Sequence, residues 1–145
     1  MKIDKIMSKS IVTVEMDDSL RVVKIIFDNT HFHHLLVIES GRLYGVISDR
    51  DLLKALSPNI GTVGETNRDT ATLNKKAHQI MTRKPVTLTP DAGISDAIEI
   101  FNNYNISCIP VINDEHKPVG IISWRDILKT IESNRGKPSN NAKRS

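Results

Sequence analysis

An internal repeat constrains this chain more than any other feature of its sequence. Ile6–Lys9 (Ile-Met-Ser-Lys) recurs 74 positions later as Ile80–Arg83 (Ile-Met-Thr-Arg). The offset becomes 75 after one inserted residue, so that Gly45–Asp51 matches Gly120–Asp126. The insertion falls where turn residues predict a hairpin loop, which tolerates a change of length. Two ordered copies with a single gap predict two structurally equivalent halves.

Both copies predict the element order β-α-β-β-α. In the second copy the apolar residues of 94–101 have the spacing of one helix face. In the first copy Asp18 or Ser19 can cap the equivalent helix, and closing helices begin near Asp49 and Trp124. The predicted strands are Ile11–Val14, Leu35–Ile38, Leu43–Ser48, Pro85–Leu88, Ile109–Ile112 and Pro118–Ser123.

The predicted domain boundaries follow the repeat. The first copy occupies residues 1–56 and the second residues 73–134, with a linker over 57–72 that begins as a loop rich in Gly, Ser and Thr. A connecting helix is predicted around Asp69–Met81, because its apolar residues share a face. The segment 135–145 holds four basic side chains and no acid, which predicts a disordered basic tail.

Length and composition exclude several classes of protein. The chain has 145 residues, enough for one globular domain. Cys108 is the only cysteine, which excludes an internal disulfide and suits a reducing compartment. No apolar run reaches about 18 residues, the length of a membrane span, and the opening Met1–Lys5 lacks the apolar core of a secretory signal. We therefore expect a cytoplasmic protein.

The net charge of +3 comes from the tail, because residues 1–134 carry one more acid than base. A body so close to neutral does not favour nucleic-acid binding, which usually relies on a basic face of the fold itself. A nucleic-acid accessory that acts through the tail stays as an alternative of a different class.

The sequence gives little support to catalysis. Cys108 would need a neighbouring base to act as a nucleophile, and its place at the start of an apolar strand predicts a buried thiol. There is no P-loop, GxGxxG, HExxH or paired CxxC motif. The histidines at 31, 33 and 34 do not suit a metal site, because neighbouring strand residues point to opposite faces. We predict that the chain is not an enzyme, requires no cofactor and holds no metal.

The two closing segments suggest a binding chemistry. Ser48–Asp51 and Ser123–Asp126 each lie where a strand passes into a helix. A phosphate can bind the free N–H groups of such a helix start, and a carboxylate one turn later can accept the hydroxyls of a ribose. An arginine in each segment can add a charge-assisted contact to phosphate. The Ser-x-x-Asp pattern is also a capping box that needs no ligand, so both interpretations stay open.

With these residues the chain resembles a tandem pair of CBS domains, the repeat named after cystathionine β-synthase. The resemblance covers about Lys5–Glu132. It implies an α+β fold in which two β-α-β-β-α repeats pack about a pseudo-twofold axis, and pairs that dimerise into flat discs. It also implies a free-standing regulatory module that binds AMP, ADP or ATP, or else S-adenosylmethionine or NAD(H), and acts on an effector protein. The competing interpretation is a ligand-free dimeric scaffold.

The resemblance further implies two ligand sites. In the family, the serine and aspartate hold phosphate and ribose, and the adenine lies between the first short strand and the start of the central strand. The first site would use Thr13, Val14, Leu36, Ser48, Arg50 and Asp51, with His34 added because basic residues at this place reach phosphates in some CBS pairs. The second site would use Thr87, Leu88, Ile109, Pro110, Ser123, Arg125 and Asp126.

The two copies differ at positions that predict unequal sites. Asp49 adds negative charge beside the first phosphate position unless a cation or Arg50 offsets it. Trp124 replaces this acid in the second copy; a partly buried or interface role is favoured over one beside a base. The helix Leu20–Phe27 is apolar nearly all round, which predicts that the sister repeat or a second chain covers it. We expect a homodimer.

Overall fold

The structure, a computed structural model, describes residues 1–136 of the chain. The first repeat follows the predicted order of elements, the second does so except that its opening strand is reduced to a single bridge, and the α+β fold class is confirmed. The strands are β1 (Thr13–Glu15), β2 (His34–Glu39), β3 (Arg42–Ser48), β4 (Thr82–Arg83), β5 (Cys108–Ile112) and β6 (Pro118–Ser123). The helices are α1 (Leu20–Asn29), α2 (Asp49–Ala55), α3 (Asn67–Ala71), α4 (Ala77–Ile80), α5 (Ile94–Asn103) and α6 (Trp124–Gly136).

The first repeat carries a four-stranded sheet in the order β1-β2-β3-β4. β1 runs parallel to β2, with Thr13 opposite Leu36. β2 and β3 form an antiparallel hairpin whose turn residues, Ser40 and Gly41, both have positive φ. The fourth strand comes from the opening of the second repeat, so the two repeats share this sheet.

The second sheet repeats this plan with shorter pairings. β5 and β6 form an antiparallel hairpin. The predicted strand Pro85–Leu88 pairs with it at a single parallel bridge, from Leu88 to Val111. Ser8, from the opening of the chain, bridges to Ile121 of β6. Its role matches that of β4 in the first sheet.

The two repeats exchange their opening segments. Ile3 is fully buried in the core of the second repeat, and Met7 packs beside it. Ala77 and Met81 stand at the matching positions of the second copy and are buried in the core of the first repeat. Each core is therefore completed by residues of the other sequence copy.

A third apolar cluster joins the two sheets. Leu36 and Val46 of the first sheet pack with Cys108 and Ile112 of the second. Successive strand residues point to opposite faces, so Leu35 packs in the helix-covered core while Leu36 faces the other sheet. This contact fixes the two repeats about their pseudo-twofold axis.

The predicted connecting helix around Asp69–Met81 is wrong as a single element. The segment is divided among α3, a short 3-10 turn and α4. The backbone between them pairs with the turn before α1: the Leu20 N–H donates to the Lys75 carbonyl and the Ala77 N–H donates to the Asp18 carbonyl, both at 2.8 Å. These tertiary hydrogen bonds outweigh the helical spacing of the apolar residues.

Two helix ends also differ from prediction. Ser19 is the N-cap residue of α1 but makes no capping hydrogen bond through its side chain. The Asp18 carboxylate instead accepts a hydrogen bond from the Glu15 N–H at 2.7 Å. α6 continues to Gly136, so the first two residues of the predicted tail 135–145 are helical. The rest of that tail lies outside the described residues.

Candidate functional site

Both Ser-x-x-Asp segments form capping boxes. The Ser48 hydroxyl accepts a hydrogen bond from the Asp51 N–H at 3.0 Å, and the Ser48 N–H donates to Asp51 Oδ2 at 2.8 Å. The corresponding distances between Ser123 and Asp126 are 3.4 and 2.8 Å. The capping interpretation is thus confirmed. It uses Oδ2 of each aspartate, and Oδ1 accepts no hydrogen bond from the described residues, which leaves it available to a ligand hydroxyl.

A cleft of about 270 Å³ opens beside Ser48 and Asp51, and we call it the Asp51 cleft. It is composite, because these two residues of the first repeat meet the opening of the second repeat and the segment before β5. Apolar and polar side chains both line it, as is usual in small-molecule sites. The lining residues are His34, Val46, Ser48, Asp51, Thr82, Lys84, Pro85, Val86, Asn105, Ile106, Ser107 and Cys108.

A second composite cleft, of about 480 Å³, opens beside Ser123 and Asp126, and we call it the Asp126 cleft. Here the serine and aspartate of the second repeat meet the opening of the chain and the segment before β2. The lining residues are Ser8, Ser10, His31, Phe32, His33, His34, Ser107, Cys108, Ile121, Ser123, Trp124, Arg125 and Asp126.

The structure does not bring the first predicted site together as expected. His34, Ser48 and Asp51 line the Asp51 cleft, whereas Thr13, Val14, Leu36 and Arg50 do not. Val14 and Leu36 are buried in the apolar clusters, 4% and 1% exposed. Thr13 and Arg50 are exposed outside this cleft.

The second predicted site is divided in the same way. Ser123, Arg125 and Asp126 line the Asp126 cleft, whereas Thr87, Leu88, Ile109 and Pro110 do not. Ile109 and Pro110 are fully buried in the second repeat. Each serine–aspartate pair thus faces the opening segment of the other repeat, and the contribution of the remaining residues to a ligand site stays a prediction.

The sequence contains a signal that could have found the missed lining residues. The offset of 74 relates Ser8 to Thr82 and Ser10 to Lys84, and each of these pairs contributes one residue to each cleft. A pseudo-twofold axis that brings two β-α-β-β-α units face to face sets the start of one unit against the end of the other. The repeat alone could therefore have predicted that the opening segment of each copy lines the cleft of the other.

His34 connects the two clefts, and its neighbour His33 lines the Asp126 cleft alone. His34 lines both of them, and its Nε2 lies 2.8 Å from Ser107 Oγ of the other repeat. Burial lowers the pKa of His34 below its ordinary 6.5, so its imidazole is neutral near pH 7. His33 Nδ1 lies 2.9 Å from Asp49 Oδ2, and this hydrogen bond lowers the pKa of the Asp49 carboxyl. His33, rather than Arg50, thus offsets the charge of Asp49.

Two further predictions concern single side chains. Burial raises the pKa of the Cys108 thiol to about 12, which confirms a buried, unreactive cysteine. Trp124 is 37% exposed and packs against Phe101 with ring centroids 4.8 Å apart, which agrees with a packing role. It also lines the Asp126 cleft, so a place beside a base stays open. Within residues 1–136 no group of three or more His, Cys, Asp or Glu side chains could hold a metal ion.

Comparison with known proteins decides the family. The family model of the CBS domain matches residues 3–58 and, a second time, residues 77–133. The chain belongs to the CBS domain family. Both matches include a serine–aspartate pair, and together they span the two repeats of the fold.

Solved structures and curated relatives agree with this assignment. The CBS domain pair of protein MJ0100, in complex with 5′-methylthioadenosine and S-adenosyl-L-methionine, is 27% identical with a TM-score of 0.76 and covers 92% of this chain and 98% of its own. A CBS domain-containing protein of Dictyostelium discoideum, DDB_G0289609, is 29% identical over 87% of this chain and 88% of its own length.

Several other relatives are much longer than this chain. The uncharacterized protein MJ0188 of Methanocaldococcus jannaschii is 31% identical over 89% of this chain, which spans 43% of that protein. The homoserine O-acetyltransferase of Methanosalsum zhilinae is 31% identical over 92% of this chain, which spans 24% of that protein. This chain thus matches less than half of the length of each of these two proteins.

Proposed function

We propose that this CBS pair is a non-catalytic sensor module that binds an adenosyl ligand in its composite clefts. The observation that carries the proposal is the free Oδ1 of Asp51 and of Asp126, each held in a cleft by a capping box. The related pair of protein MJ0100, crystallised with two adenosyl compounds, supports this class of ligand.

The residues of the Asp51 cleft suit the parts of an adenosine. The Asp51 carboxylate can accept hydrogen bonds from the ribose hydroxyls through Oδ1. Val46, Pro85 and Val86 offer an apolar wall to a purine ring. The Ser48 hydroxyl, at the start of α2, can donate to a phosphate or to another polar group at the 5′ position.

The two clefts suit different adenosyl ligands. The Asp126 cleft has the larger volume, and Arg125 lines it together with three histidines. Arg50, at the matching position, does not line the Asp51 cleft. We propose that the Asp126 cleft takes the more anionic ligands, such as ADP or ATP, and that the Asp51 cleft takes AMP or an uncharged adenosine derivative. Charge-assisted hydrogen bonds to phosphate are the physical reason for this difference.

Isothermal titration calorimetry with AMP, ADP, ATP, S-adenosylmethionine, 5′-methylthioadenosine and NADH tests the proposal. Asp51→Asn and Asp126→Asn keep an oxygen for the cap but remove the carboxylate charge, and each should weaken ligand binding at its own cleft by about tenfold or more. Asp96→Asn is the control, because Asp96 Oδ2 likewise accepts a hydrogen bond, at 2.9 Å, from the backbone N–H of the N-cap residue Gly93 at the start of α5, outside both clefts. No heat with any of the compounds would favour the ligand-free scaffold.

We also propose that the chain forms a homodimer through its helices. Ile25 of α1, Leu53 of α2, and Leu128 and Ile131 of α6 are 55%, 76%, 59% and 47% exposed, so the sister repeat leaves them uncovered. A second copy would bury this apolar surface. Sedimentation of Ile25→Lys and Leu128→Glu tests this: each should shift the protein towards monomer, whereas an unchanged dimer would place the interface elsewhere.

A regulatory role requires that ligand binding be transmitted to an effector protein. An adenosyl ligand that spans the two repeats would favour one angle between them, and only a difference in affinity between conformations can move such an equilibrium. The cytoplasmic location stays a prediction; across residues 1–136 no helix has the length and apolar character of a membrane span. Deletion of 135–145 tests the nucleic-acid alternative, which requires that salt-sensitive binding be lost with the tail.

A further inference from the structure

A third cleft lies apart from both serine–aspartate pairs. It has a volume of about 340 Å³ and is lined by Arg42, Leu43, Tyr44, Lys84, Pro85 and His116. Backbone hydrogen bonds hold its three segments together. The Leu43 N–H donates to the His116 carbonyl at 2.9 Å, and the Lys84 N–H donates to the Tyr44 carbonyl at 3.3 Å. We call it the basic cleft.

The basic cleft carries positive charge, although the described residues as a whole are neutral. Arg42 and Lys84 are cations, His116 adds an imidazole, and none of the six lining residues is acidic. The described residues as a whole carry 17 acidic and 17 basic side chains, so the cleft stands out against a neutral body. Glu39 lies opposite Arg42 in the β2–β3 register, but among the described residues no ion pair within 4.0 Å joins them.

The backbone of the cleft is unusual. Lys84 and His116 have φ values of 49° and 65°, a left-handed conformation that residues with a side chain rarely adopt. Ser40, in the adjoining β2–β3 turn, has a φ of 53°. Residues in such conformations persist where the surrounding structure holds them, and they concentrate at ligand sites.

The pseudo-twofold axis provides an internal comparison. In the other repeat, Lys117 matches Arg42, Ser10 matches Lys84, and Gly41 matches His116. Gly41 and Lys117 lie close together, as the symmetry requires, with a Gly41 Cβ position 3.6 Å from Lys117 Cε. The matching surface would thus present one basic side chain where the basic cleft presents three. The fold itself does not impose this charge.

We propose that the basic cleft is an anion site that binds a phosphoryl group, either free or as part of a small phosphorylated molecule. The planar guanidinium of Arg42 can form paired hydrogen bonds with two phosphoryl oxygens, and Lys84 adds a point charge. The volume suits a small molecule rather than a protein segment. The site adjoins the Asp51 cleft, with which it shares Lys84 and Pro85, whereas Arg42, Tyr44 and His116 line neither adenosyl cleft.

The test is calorimetric titration of the full chain with inorganic phosphate, pyrophosphate and glycerol 3-phosphate. We expect saturable binding of at least one of them, weakened about tenfold or more by Arg42→Gln and by Lys84→Gln. Binding of the phosphomonoester alone would identify an organic phosphate as the ligand, and binding of phosphate or pyrophosphate would identify the free ion. Lys117→Gln, the symmetry-matched change of equal charge, should alter the affinity less than threefold.

Two results would overturn the proposal. One is the absence of saturable binding of all three probes at millimolar concentration and moderate salt. The other is binding that survives Arg42→Gln: its loss in Lys84→Gln would then place the anion in the Asp51 cleft, and its loss in Arg125→Gln would place it in the Asp126 cleft. Arg42 and Lys84 are exposed, so these variants should fold, and an unchanged thermal unfolding curve checks that they do.

Discussion

Gly45 lies against Met81 in the first sheet, and Gly120 lies against Met7 in the second. A Cβ added to either glycine would meet the methionine side chain and a backbone oxygen, which lies at 2.9 Å in the first case and 3.0 Å in the second. Both repeats also have a serine–aspartate capping box, although its hydrogen bond to the serine hydroxyl is 3.0 Å long in the first and 3.4 Å in the second. The residues between the clefts do not match, because His34 stands in the first copy where Cys108 stands in the second.

This comparison separates the residues that build the fold from those that distinguish its surfaces. The glycine, methionine, serine and aspartate positions fix an opening segment and a closing helix in both halves. Asp49 and Trp124 occupy matching positions but have different neighbours: one is paired with His33, and the other packs on Phe101. Two copies of one skeleton can therefore present two different clefts.

The largest expected effect concerns the exchange of opening segments. Ile3 is fully buried in the second repeat, so Ile3→Ala should lower the free energy of unfolding by about 2–5 kcal/mol. Hydrogen exchange should show the loss of protection first in β5 and β6, although Ile3 belongs to the first sequence copy. Met1→Ala, which removes a side chain that is 64% exposed, is the control. Loss of protection confined to β2 and β3 would contradict the exchange.

The exchange also shows which features can be read from the sequence. The repeat, the hairpins and the capping boxes depend on local spacing, and all were predicted. The core in which Ile3 and Met81 are buried was not predicted, because an apolar residue near a repeat boundary can be buried in either core. The same limit explains why Thr13 and Leu88 were assigned to clefts that they do not line.

The next effect tests the match between the two glycine contacts. Gly45→Ala and Gly120→Ala should each lower the free energy of unfolding by about 1–3 kcal/mol, because the new methyl group forces the opening segment away from the sheet. Urea denaturation measures both variants. Gly64→Ala is the control, since its nearest neighbour, Thr62 Oγ1, lies 3.9 Å away. A large loss in one variant and none in the other would show that the halves are not equivalent here.

A smaller effect distinguishes the two capping boxes. Ser48→Ala removes a 3.0 Å hydrogen bond from the Asp51 N–H and should cost about 1 kcal/mol of stability. Ser123→Ala should cost less, because the corresponding distance is 3.4 Å, and the 3.1 Å bond that the Ser123 hydroxyl donates goes to Asp126 Oδ2, an oxygen that the Ser123 N–H already satisfies. Thermal unfolding of both variants, with Ser95→Ala in the exposed first turn of α5 as reference, measures the difference. A greater loss for Ser123→Ala would reverse the ranking of the two caps.

The smallest expected effect concerns His34, which lines both clefts and stands where the second repeat has Cys108. Its folded pKa is lowered, mainly by burial, while the unfolded chain binds a proton near 6.5. Stability should therefore fall as the pH drops through 6.5, and should level off below the folded pKa. The surrounding charges are Asp49, His33 and Asp51, and partial exposure keeps the loss below about 1 kcal/mol.

Urea midpoints between pH 7.5 and pH 5.5 measure this loss, and His34→Gln should flatten the curve. Ser107→Ala should leave the slope in place, because it removes the hydrogen bond at 2.8 Å but not the burial that lowers the pKa. An equal slope in His34→Gln would assign the effect to another group. If a ligand phosphate reaches His34, binding favours the protonated imidazole, so the affinity should rise as the pH falls. Cys108, whose thiol pKa burial raises to about 12, adds no charge in this range.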